Sequence, residues 1–537
     1  MPSGARIMFV SSNGTGLGHL TRSMAIARRL DPAVEPLFVT LSRAAPVVRD
    51  MGFPVEYMAS HGSPGAGSDW RWSRRLAARM NAAIEQASPR LLVFDGILPY
   101  DPLLAAMTRV PATVWCRRGM WQPAASRAPL TRSDLFDAIL EPGDFAGAED
   151  RGPTASRRGR EAHAVAPIVF LDDDEVLPRA TSARELGLEP GKPTILVQLG
   201  QGAEVAAATT RCLRALAGRG DVQVAAASSA IAGLLDVPEG IVHLRAAYPM
   251  SRYYAAFDGA ISAAGYNAFH ELVRFGIPTL FVPMPRETDD QAARGRYAES
   301  VGVGLAVEGP DHPGIEQRLG QLLDPERRGA MRERLRELRP ENGAGEAAKW
   351  LEGILDATVK GAAKDADRAS SGALVGVRPT KAPLDGGGSR RSPVRARAAR
   401  AWVFVRTLPR TLMRLVHQTI SLPRLRTIIL AFGAEEGAIR DALRRAADPP
   451  ERVLVLTDSL AIGDVWRAGT GVEHVPGPGE RQAAFAGGDY EEFRRRRVGL
   501  ILAHRPRLRR ALAAGDVPED LIEASTAPRR RRASLLR

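Results

Sequence analysis

The feature that most constrains the fold is a short apolar strand followed by a glycine turn and a helix, and this unit occurs twice. The first copy runs from residues 7–10 into SSNGTGLGHLTRSMAIARRL, and the second runs from residues 194–199 into a Gly-Gln-Gly turn. A strand that is apolar at every position is typical of a parallel sheet with both faces buried. Further strand-like segments, separated by helical stretches, follow each copy. The alternation predicts an α/β fold with two doubly wound, Rossmann-like domains.

Composition divides the 537-residue chain into four parts. We assign residues 1–165 and 166–357 to the two Rossmann-like domains. Residues 358–400 are rich in Gly, Ala, Ser, Pro and Arg, have no hydrophobic period and are predicted to be a flexible linker. Residues 401–537 are predicted to form a basic C-terminal extension, a small α/β unit with an amphipathic helix over residues 410–421.

The positive charge is confined to the last third of the chain. Residues 1–357 contain 40 Lys and Arg against 42 Asp and Glu, a net charge of −2. Residues 358–537 contain 34 against 19, a net charge of +15. This asymmetry predicts an anionic partner for the C-terminal part, and we expect an anionic membrane surface. Two alternatives are a solvated tail and nucleic-acid binding, but no recognised nucleic-acid reader motif accompanies the charge, so no specific nucleic acid is expected.

The remaining composition excludes several classes of protein. With 45% hydrophobic and 25% charged residues, the chain is a typical globular protein. It has no apolar run close to the roughly 20 residues of a membrane-spanning helix, and its N-terminus has no secretory signal pattern, so we expect a cytoplasmic protein. Cys116 and Cys212 are too isolated for a disulfide framework or a structural zinc site. The acidic run at residues 172–175 is interpreted as a solvated turn, and no metal is expected.

The loop at residues 13–19 is a candidate phosphate-binding element. Gly14, Gly16 and Gly18, with Thr15 between them, allow backbone N–H groups to approach a ligand while the following helix directs its positive end to the same place. The spacing matches neither the dinucleotide fingerprint nor the P-loop. His19, where the loop meets the helix, has either a structural or a catalytic role.

A second candidate lies within residues 262–304. A strand ends in small residues, a helix begins near Asn267, and Glu271 lies about one turn into that helix. A carboxylate at this position can accept hydrogen bonds from both hydroxyls of a ribose, while the helix amides face phosphate. In the polar loop that follows the next strand, Asp290 and Gln291 are suited to holding sugar hydroxyls.

Together these blocks resemble the family 28 glycosyltransferases of GT-B architecture, of the MurG type. The resemblance covers about residues 5–357 and depends on NGTGLGH, on LGQGAE at residues 199–204 and on residues 262–304. It implies that the first domain receives the acceptor and that the second binds a UDP-sugar, with a UDP-N-acetylhexosamine as the candidate donor. It also implies inverting transfer to a hydroxyl, on a lipid-linked or cell-envelope glycan, with no metal or other cofactor.

The resemblance also implies roles for individual residues. Glu271 matches the ribose-binding glutamate, Gly265 the turn before it, and Met250 a residue of the uracil pocket. Asp290 and Gln291 match a pair that contacts the donor sugar. The glycine turn beside the diphosphate is matched by Gly200, Gln201 and Gly202, and the loop facing the cleft by Gly14, Thr15, Gly16, Gly18 and His19.

Inverting transfer requires a base, and two residues are candidates. His19 can accept a proton near neutral pH, and Asp95, at the end of the strand-like segment LLVFD, could orient His19 or act as the base itself. Four tryptophans interleaved with arginines, at positions 70, 72, 115 and 121, are candidates for an acceptor surface.

Two alternative functions are a UDP-sugar epimerase of the same architecture and a non-catalytic nucleotide-sugar-binding protein. A position on the inner face of the membrane follows from the lipid-linked acceptor.

Overall fold

A computed structural model describes residues 5–527, apart from residues 13–16, 64–68, 156–161, 201–202, 229–236, 245–246, 371–424, 480–488, 504, 506–507 and 516. Its strands form three sheets of seven, six and four strands, and every strand pair in them is parallel. Helices, α or 3₁₀, connect most successive strands within the described residues. The predicted α/β class, with two Rossmann-like domains and a small C-terminal α/β unit, is confirmed.

The first sheet has the strand order β3-β2-β1-β4-β5-β6-β7. Its direction of growth reverses between β1 and β4, so the loops after these two strands open into one crevice. The strands are β1 (Ala5–Ser11), β2 (Val34–Thr40), β3 (Val55–Tyr57), β4 (Leu91–Asp95), β5 (Ala112–Cys116), β6 (Ala138–Pro142) and β7 (His163–Val165). The helices are α1 (Gly18–Ala27), α2 (Ala45–Asp50), α3 (Asp69–Ala87) and α4 (Asp101–Ala106).

The second sheet repeats this order as β10-β9-β8-β11-β12-β13, with its reversal between β8 and β11. Its strands are β8 (Thr194–Gln198), β9 (Gln223–Ala227), β10 (Val242–Leu244), β11 (Gly259–Ser262), β12 (Thr279–Phe281) and β13 (Gly304–Ala306). The helices are α5 (Arg179–Glu185), α6 (Ala203–Leu216), α7 (Tyr266–Arg274), α8 (Gln291–Ser300), α9 (Ile315–Leu323) and α10 (Pro325–Glu337).

Strand periodicity explains how each sheet is buried on both faces. In β1, Ile7 and Phe9 pack into the apolar cluster on one side of the sheet, whereas Met8 and Val10 pack into the cluster on the other side. Successive side chains of a strand point to opposite faces, so an unbroken apolar run fits only a strand covered on both sides. These four side chains are at most 1% exposed.

Helix α11 (Ala344–Ser370) follows the second domain in the chain but packs against the first, on α1, β5 and β7. It also corrects the predicted linker, because the helix continues through Ser370 and so includes the first 13 residues of that segment. Buried Ala347, Ala348 and Leu351 on its N-terminal half contribute to the core of the first domain. The rest of the predicted linker and the predicted amphipathic helix at 410–421 lie outside the described residues.

The C-terminal unit, residues 425–527, contains the third sheet, in the order β16-β15-β14-β17. Its strands are β14 (Thr427–Phe432), β15 (Val453–Thr457), β16 (Gly471–His474) and β17 (Arg510–Gly515). The helices are α12 (Glu436–Ala446), α13 (Gly463–Arg467), α14 (Tyr490–Ala503) and α15 (Glu519–Thr526). The unit packs on the first domain, with α14 against α3 and β16 against β3.

This packing removes two of the four arginines at 494–497 from any anionic surface that the C-terminal unit could contact. The run lies within α14, and Arg494 and Arg497 are only 7% and 1% exposed. Arg497 points into the first domain, where it forms an ion pair with Glu56. The second run, at 529–532, lies outside the described residues. Within the described part of the chain, no helix is long and apolar enough to cross a membrane.

Candidate active site

A cleft of about 1020 Å³ lies between the first two domains. The loops that follow β1 and β4 form one wall, and those that follow β8 and β11 form the other. These are the reversal points of the two sheets, the place where open α/β sheets bind their ligands. Eight residues predicted for the site line this cleft, namely Gly18, His19, Gly200, Met250, Gly265, Asn267, Glu271 and Gln291.

His19 and Asp95, the two candidate bases, are in direct contact. His19 Nδ1 lies 2.7 Å from Asp95 Oδ1. The His19 side chain is 15% exposed and lines the cleft, whereas Asp95 is 1% exposed beneath it. This contact fixes the imidazole through Nδ1 and leaves Nε2 as the ring nitrogen available for a proton. The geometry therefore favours the orienting role for Asp95.

Arg22, which the sequence analysis did not select, completes this group. It donates to both carboxylate oxygens of Asp95, from Nε at 3.0 Å to Oδ2 and from Nη2 to Oδ1. Burial alone would raise the pKa of Asp95, but the charge of Arg22 and the contact with His19 outweigh it and lower the pKa. Asp95 is thus held as a carboxylate. The sequence could have indicated Arg22 through its spacing, because it lies three residues after His19 and therefore on the same face of α1.

On the opposite wall, α7 directs its N-terminus at the cleft. Gly265 is the N-cap, and no side chain caps the helix, so its first amides are available to a ligand. Helix α1 also begins at the cleft, with Leu17 as N-cap and no side-chain cap. Asn267 joins the two helices, because its Nδ2 donates to the Gly18 carbonyl at 3.2 Å. Two helix N-termini thus converge on one space, an arrangement that suits a diphosphate.

Glu271 lines the cleft one turn further along α7 and is 9% exposed. Within the described residues its carboxylate has no hydrogen-bond or ion-pair partner. Burial raises its pKa to about 8, with no compensating charge. A buried carboxyl group without a protein partner is costly, and hydroxyl groups of a ligand would satisfy it.

Gly200 and Met250 lie on the same donor-side wall. Gly200 has a φ of +98°, a conformation that side chains rarely adopt, so the turn after β8 requires glycine. Met250 begins a 3₁₀ helix, Met250–Ala256, beside it. The other predicted glycine-turn residues, Gln201 and Gly202, and the loop residues Gly14, Thr15 and Gly16 lie outside the described residues.

The predicted sugar-contacting pair needs a correction at Asp290. Its Oδ1 accepts a hydrogen bond from Ala293 N at 3.0 Å, so Asp290 is the N-cap of α8 and not part of the cleft lining. Asp289, one residue earlier, lines the cleft instead. Gln291 does reach the cleft, where its Oε1 accepts from Met284 N at 3.0 Å and its Nε2 donates to Asp289. Sequence alone could not decide which of two adjacent aspartates caps the helix.

Asp289 belongs to a buried ionic cluster between the domains. Arg118 of the first domain and Arg294 of the second both donate to it, and Arg294 Nε also donates to Asp144 Oδ2 at 2.8 Å. Burial would raise the pKa of Asp289, but the two arginines lower it well below its usual range. The ring of Tyr266 lies between Arg22 and Arg294. The cluster therefore connects the group around His19 to the donor-side wall.

The first-domain wall contributes a group of apolar and aromatic side chains to the cleft. It includes Leu17, Leu41, His61, Trp72, Ile97, Leu98 and Tyr100. Trp72 is the only one of the four predicted acceptor-surface tryptophans found in this lining. Trp115 and Trp121 are at most 1% exposed and pack in the interior, and Trp70 is exposed but outside the cleft lining. Trp115 had to be buried, because it lies on the central strand β5.

No group of metal ligands occurs among the described residues. The acidic run at 172–175 forms a capped turn and makes ion pairs with arginines. Glu175 contacts Arg28, Asp172 contacts Arg29, and Asp173 contacts Arg274 and Arg339. The run therefore joins the first domain to the second.

Comparisons with known proteins agree with this architecture. Residues 235–339 match the glycosyltransferase family 28 C-terminal domain. A relative from a Nocardioides species is 28% identical over 328 residues, which is 57% of this chain and 85% of the relative. A relative from Nocardia farcinica is 26% identical and covers 57% and 84%. Both are called UDP-N-acetylglucosamine–N-acetylmuramyl-(pentapeptide) pyrophosphoryl-undecaprenol N-acetylglucosamine transferase.

Two solved structures are also similar. Acinetobacter baumannii MurG is 16% identical, covers 65% of this chain and 99% of its own, and gives a TM-score of 0.44. The spinosyn rhamnosyltransferase SpnG is 17% identical, covers 65% of this chain and 100% of its own, and gives a TM-score of 0.45.

The two facing Rossmann-like domains, with a cleft at both reversal points, have the GT-B architecture. The family match and the relatives indicate a UDP-sugar glycosyltransferase. Within the second domain, residues 235–339 match the glycosyltransferase family 28 C-terminal domain, so the predicted resemblance to the MurG-type enzymes is confirmed.

Proposed function

We propose that this glycosyltransferase moves an N-acetylhexosamine, with N-acetylglucosamine as the first candidate, from its UDP-sugar to a hydroxyl of a lipid-linked glycan. The single observation that carries the proposal is the cleft itself. There, a histidine fixed by a buried carboxylate faces two uncapped helix N-termini and an unpartnered glutamate. The names of the relatives include this donor and an undecaprenol-pyrophosphate-linked acceptor.

The proposed donor site uses three features of the second domain. Glu271 accepts hydrogen bonds from the ribose hydroxyls, Met250 lies against the uracil, and the amides at the start of α7 bind the diphosphate. Gly18 supports a ligand position between the helices, because a Cβ at this residue would meet no atom of the described residues within 4 Å and its φ does not demand glycine. The space beside Gly18 is therefore open to a substrate.

The proposed chemistry is a single displacement. The acceptor hydroxyl gives its proton to His19 Nε2, its oxygen forms a bond to the anomeric carbon, and the bond from that carbon to the diphosphate oxygen breaks. UDP leaves with the electron pair, and the helix amides stabilise its charge. Because attack and departure occur on opposite faces, the configuration inverts. Asp95 and Arg22 position the imidazole and stay unchanged, and no step uses a metal or other cofactor.

The test is to incubate the protein with a panel of UDP-sugars and to identify products by mass spectrometry. One arm adds N-acetylmuramyl-(pentapeptide) pyrophosphoryl-undecaprenol, a second adds a bacterial lipid extract, and a third adds no acceptor. If the protein is a transferase, a product should form only in the arms that contain an acceptor. Conversion of the UDP-sugar without acceptor would favour the epimerase, and binding without any conversion would favour a nucleotide-sugar-binding protein.

We also propose that the enzyme is attached peripherally to an anionic membrane surface. A lipid-linked acceptor places the reaction at a membrane, and the net charge of +15 in residues 358–537 supports attraction to anionic lipid. The inner face is the expected side because UDP-sugars are made in the cytoplasm. Since Arg494 and Arg497 are buried, the arginines at 529–532 are the better candidates for this contact.

A further inference from the structure

Helix α3 extends from the acceptor side of the cleft to the C-terminal unit. Trp72, near its start, lines the cleft, and its indole N–H donates inward to the Ala59 carbonyl at 2.9 Å. Arg75 and Arg79 lie three and seven residues further on, the spacing of a single helix face. Both arginines are nearly inaccessible, at 4% and 2% exposed. One face of α3 therefore carries a cleft residue at one end and residues buried beneath the C-terminal unit at the other.

Arg79 makes the principal contact with the C-terminal unit. Its Nη1 donates to Glu473 Oε2 at 2.6 Å, and its Nη2 donates to the His474 carbonyl at 2.6 Å. The same Nη2 lies 2.7 Å from Glu56 Oε1 on β3. The side chains of Arg79 and Glu473 are only 3% and 5% exposed, so this ion pair is desolvated. Desolvated charges tolerate the loss of a partner poorly, unlike exposed surface pairs.

Strand β3 is fixed by the same unit. Arg497 Nη2 donates to Glu56 Oε2 at 2.8 Å, with both side chains 1% exposed. At the next residue, Tyr57 N donates to His474 Nδ1 at 3.4 Å, and the Tyr57 ring meets Trp466 edge-on at 5.5 Å between centroids. The chain leaving β3 passes through Ala59, which holds Trp72, and His61, whose ring is 5.5 Å from that of Trp72.

At the reversal point of the third sheet, in contrast, carboxylates of the protein itself lie beside the turn and the helix that follows it. Gly433 N, in the turn after β14, donates to both carboxylate oxygens of Asp458 at 2.9 and 3.2 Å. Glu435 is the N-cap of α12, and Glu436 lies in its first turn. Three carboxylates thus surround the helix N-terminus where a phosphate would otherwise bind. This chemistry disfavours a phosphate at this helix N-terminus of the C-terminal unit.

We propose that the C-terminal unit is a positioning domain for the acceptor. Glu473 and Arg497 hold α3 and β3 so that Trp72 and His61 form the acceptor wall of the cleft. With its N–H bonded to Ala59, Trp72 has only carbon and hydrogen surface to offer a substrate, which suits the apolar face of a sugar ring. The proposal rests on the proposed function, because it assigns the acceptor side of that site. Glu473 and Arg497 are positioning residues and touch no substrate.

The test compares two variants of the full chain with a matched control. Glu473→Gln removes the charge that binds Arg79, and Trp466→Leu removes the ring against Tyr57 without leaving an unpaired charge. The control is Asp441→Asn, which breaks the exposed pair with Arg444 on the same unit. With the undecaprenol-linked acceptor, the first two variants should raise the acceptor KM at least fivefold, with the KM for UDP-N-acetylglucosamine within twofold of that of the unaltered enzyme. The control should change neither.

Hydrogen exchange of the same proteins provides a readout that needs no substrate. In Glu473→Gln and Trp466→Leu, amides at residues 55–59 and 70–80 should exchange at least fivefold faster, while those of β4 and β11 should not change. Unchanged exchange at α3 and β3 would overturn the proposal, as would donor and acceptor KM values that rise together. A wild-type chain without transfer activity would instead refute the proposed function, and the exchange result would still decide this inference.

Discussion

At the scale of single residues, the group around His19 assigns different roles to two side chains that each could serve as a base. Asp95 is buried and held ionised by Arg22, so a proton transferred to it would disrupt that ion pair. His19 reaches the cleft and keeps one ring nitrogen outside the pair. The imidazole is therefore the group that can take a proton from a substrate, and the carboxylate fixes its tautomer.

Substitution of these two residues should separate their roles. His19→Ala should lower kcat by about 10²–10⁴-fold, the usual contribution of a general base. The Kd for UDP-N-acetylglucosamine should not change, because Glu271 and α7 form the proposed donor site. Asp95→Asn should also lower kcat, by less than His19→Ala, since the base itself is retained. Turnover close to normal in His19→Ala, measured with saturating acceptor, would disprove the assignment.

Glu271 should make donor binding depend on pH. Burial raises its pKa from the ordinary value of 4.5 to about 8, so the carboxyl group is mostly protonated near neutrality. Ribose hydroxyls bind the ionised form better, so affinity for UDP-N-acetylglucosamine should rise between pH 6.5 and 8.5, by up to roughly 20-fold for one titrating group. Calorimetric titration of wild type and Glu271→Gln gives the comparison. A pH dependence that persists in the variant would assign it to another group.

The same shift has a consequence for stability with the opposite sign. Above pH 4.5 the carboxyl group loses its proton in the unfolded chain but keeps it in the fold up to about pH 8. The unfolded state therefore binds fewer protons in this interval, and the contribution of Glu271 to the free energy of unfolding falls as pH rises through it. An unpartnered buried carboxyl group thus costs stability at the pH where it would bind substrate best, a common trade at functional sites.

At the scale of elements, helix α11 depends on close backbone packing at its first turn. A Cβ at Gly343 would collide with backbone atoms of Ala166, whereas a Cβ at the exposed helical Gly353 would meet nothing within 4 Å. Gly343→Ala should therefore lower the free energy of unfolding by about 1–3 kcal/mol, as overpacking usually does. Gly353→Ala should raise it by about 0.5–1 kcal/mol, because glycine weakens a helix. Thermal unfolding of both variants provides the measurement, and equal effects would contradict the packing argument.

Most strands with a run of apolar residues could be predicted from the sequence, whereas several strands of mixed composition could not. Strands β1, β4, β8 and β14 are apolar along their length and were located to within one or two residues. The strands β3, β6, β7, β13 and β17 were missed, because three to six residues of mixed polarity carry too little periodicity. In the cleft, residues at strand ends and helix starts followed from the pattern. Asp290 did not, because Asp289 and Asp290 are both good N-cap residues and only the backbone shows which of them begins the helix.

At the scale of the whole molecule, net charge was a poor guide to which arginines are accessible. The run at 494–497 contributes to the charge of +15, but two of its members are buried in ion pairs and aromatic contacts. Arg494 packs on Phe432 and Tyr490, so it serves the core of the C-terminal unit. Sequence spacing could not reveal this, because the partners of these arginines lie on distant strands and helices.

Membrane attachment should therefore depend on the second arginine run. Each basic residue near an anionic surface contributes about 1 kcal/mol, so replacing Arg529–Arg532 by glutamine should weaken binding to phosphatidylglycerol vesicles at least about tenfold. The measurement is flotation of the full chain and of the variant at low and high salt. Phosphatidylcholine vesicles are the control, and neither protein should float with them. Equal flotation of both proteins with anionic vesicles would show that other residues bind the lipid.

The return of α11 to the first domain has a further consequence. Because this helix and the C-terminal unit both contact that domain, the acceptor half and the extension form one continuous body, while the donor half is attached mainly through the cleft and its ion pairs. If the extension rests on a membrane, the acceptor half stays in place and the donor half is the part free to swing. Binding and release of the nucleotide would then involve movement of the second domain, while the first domain and the C-terminal unit stay in place.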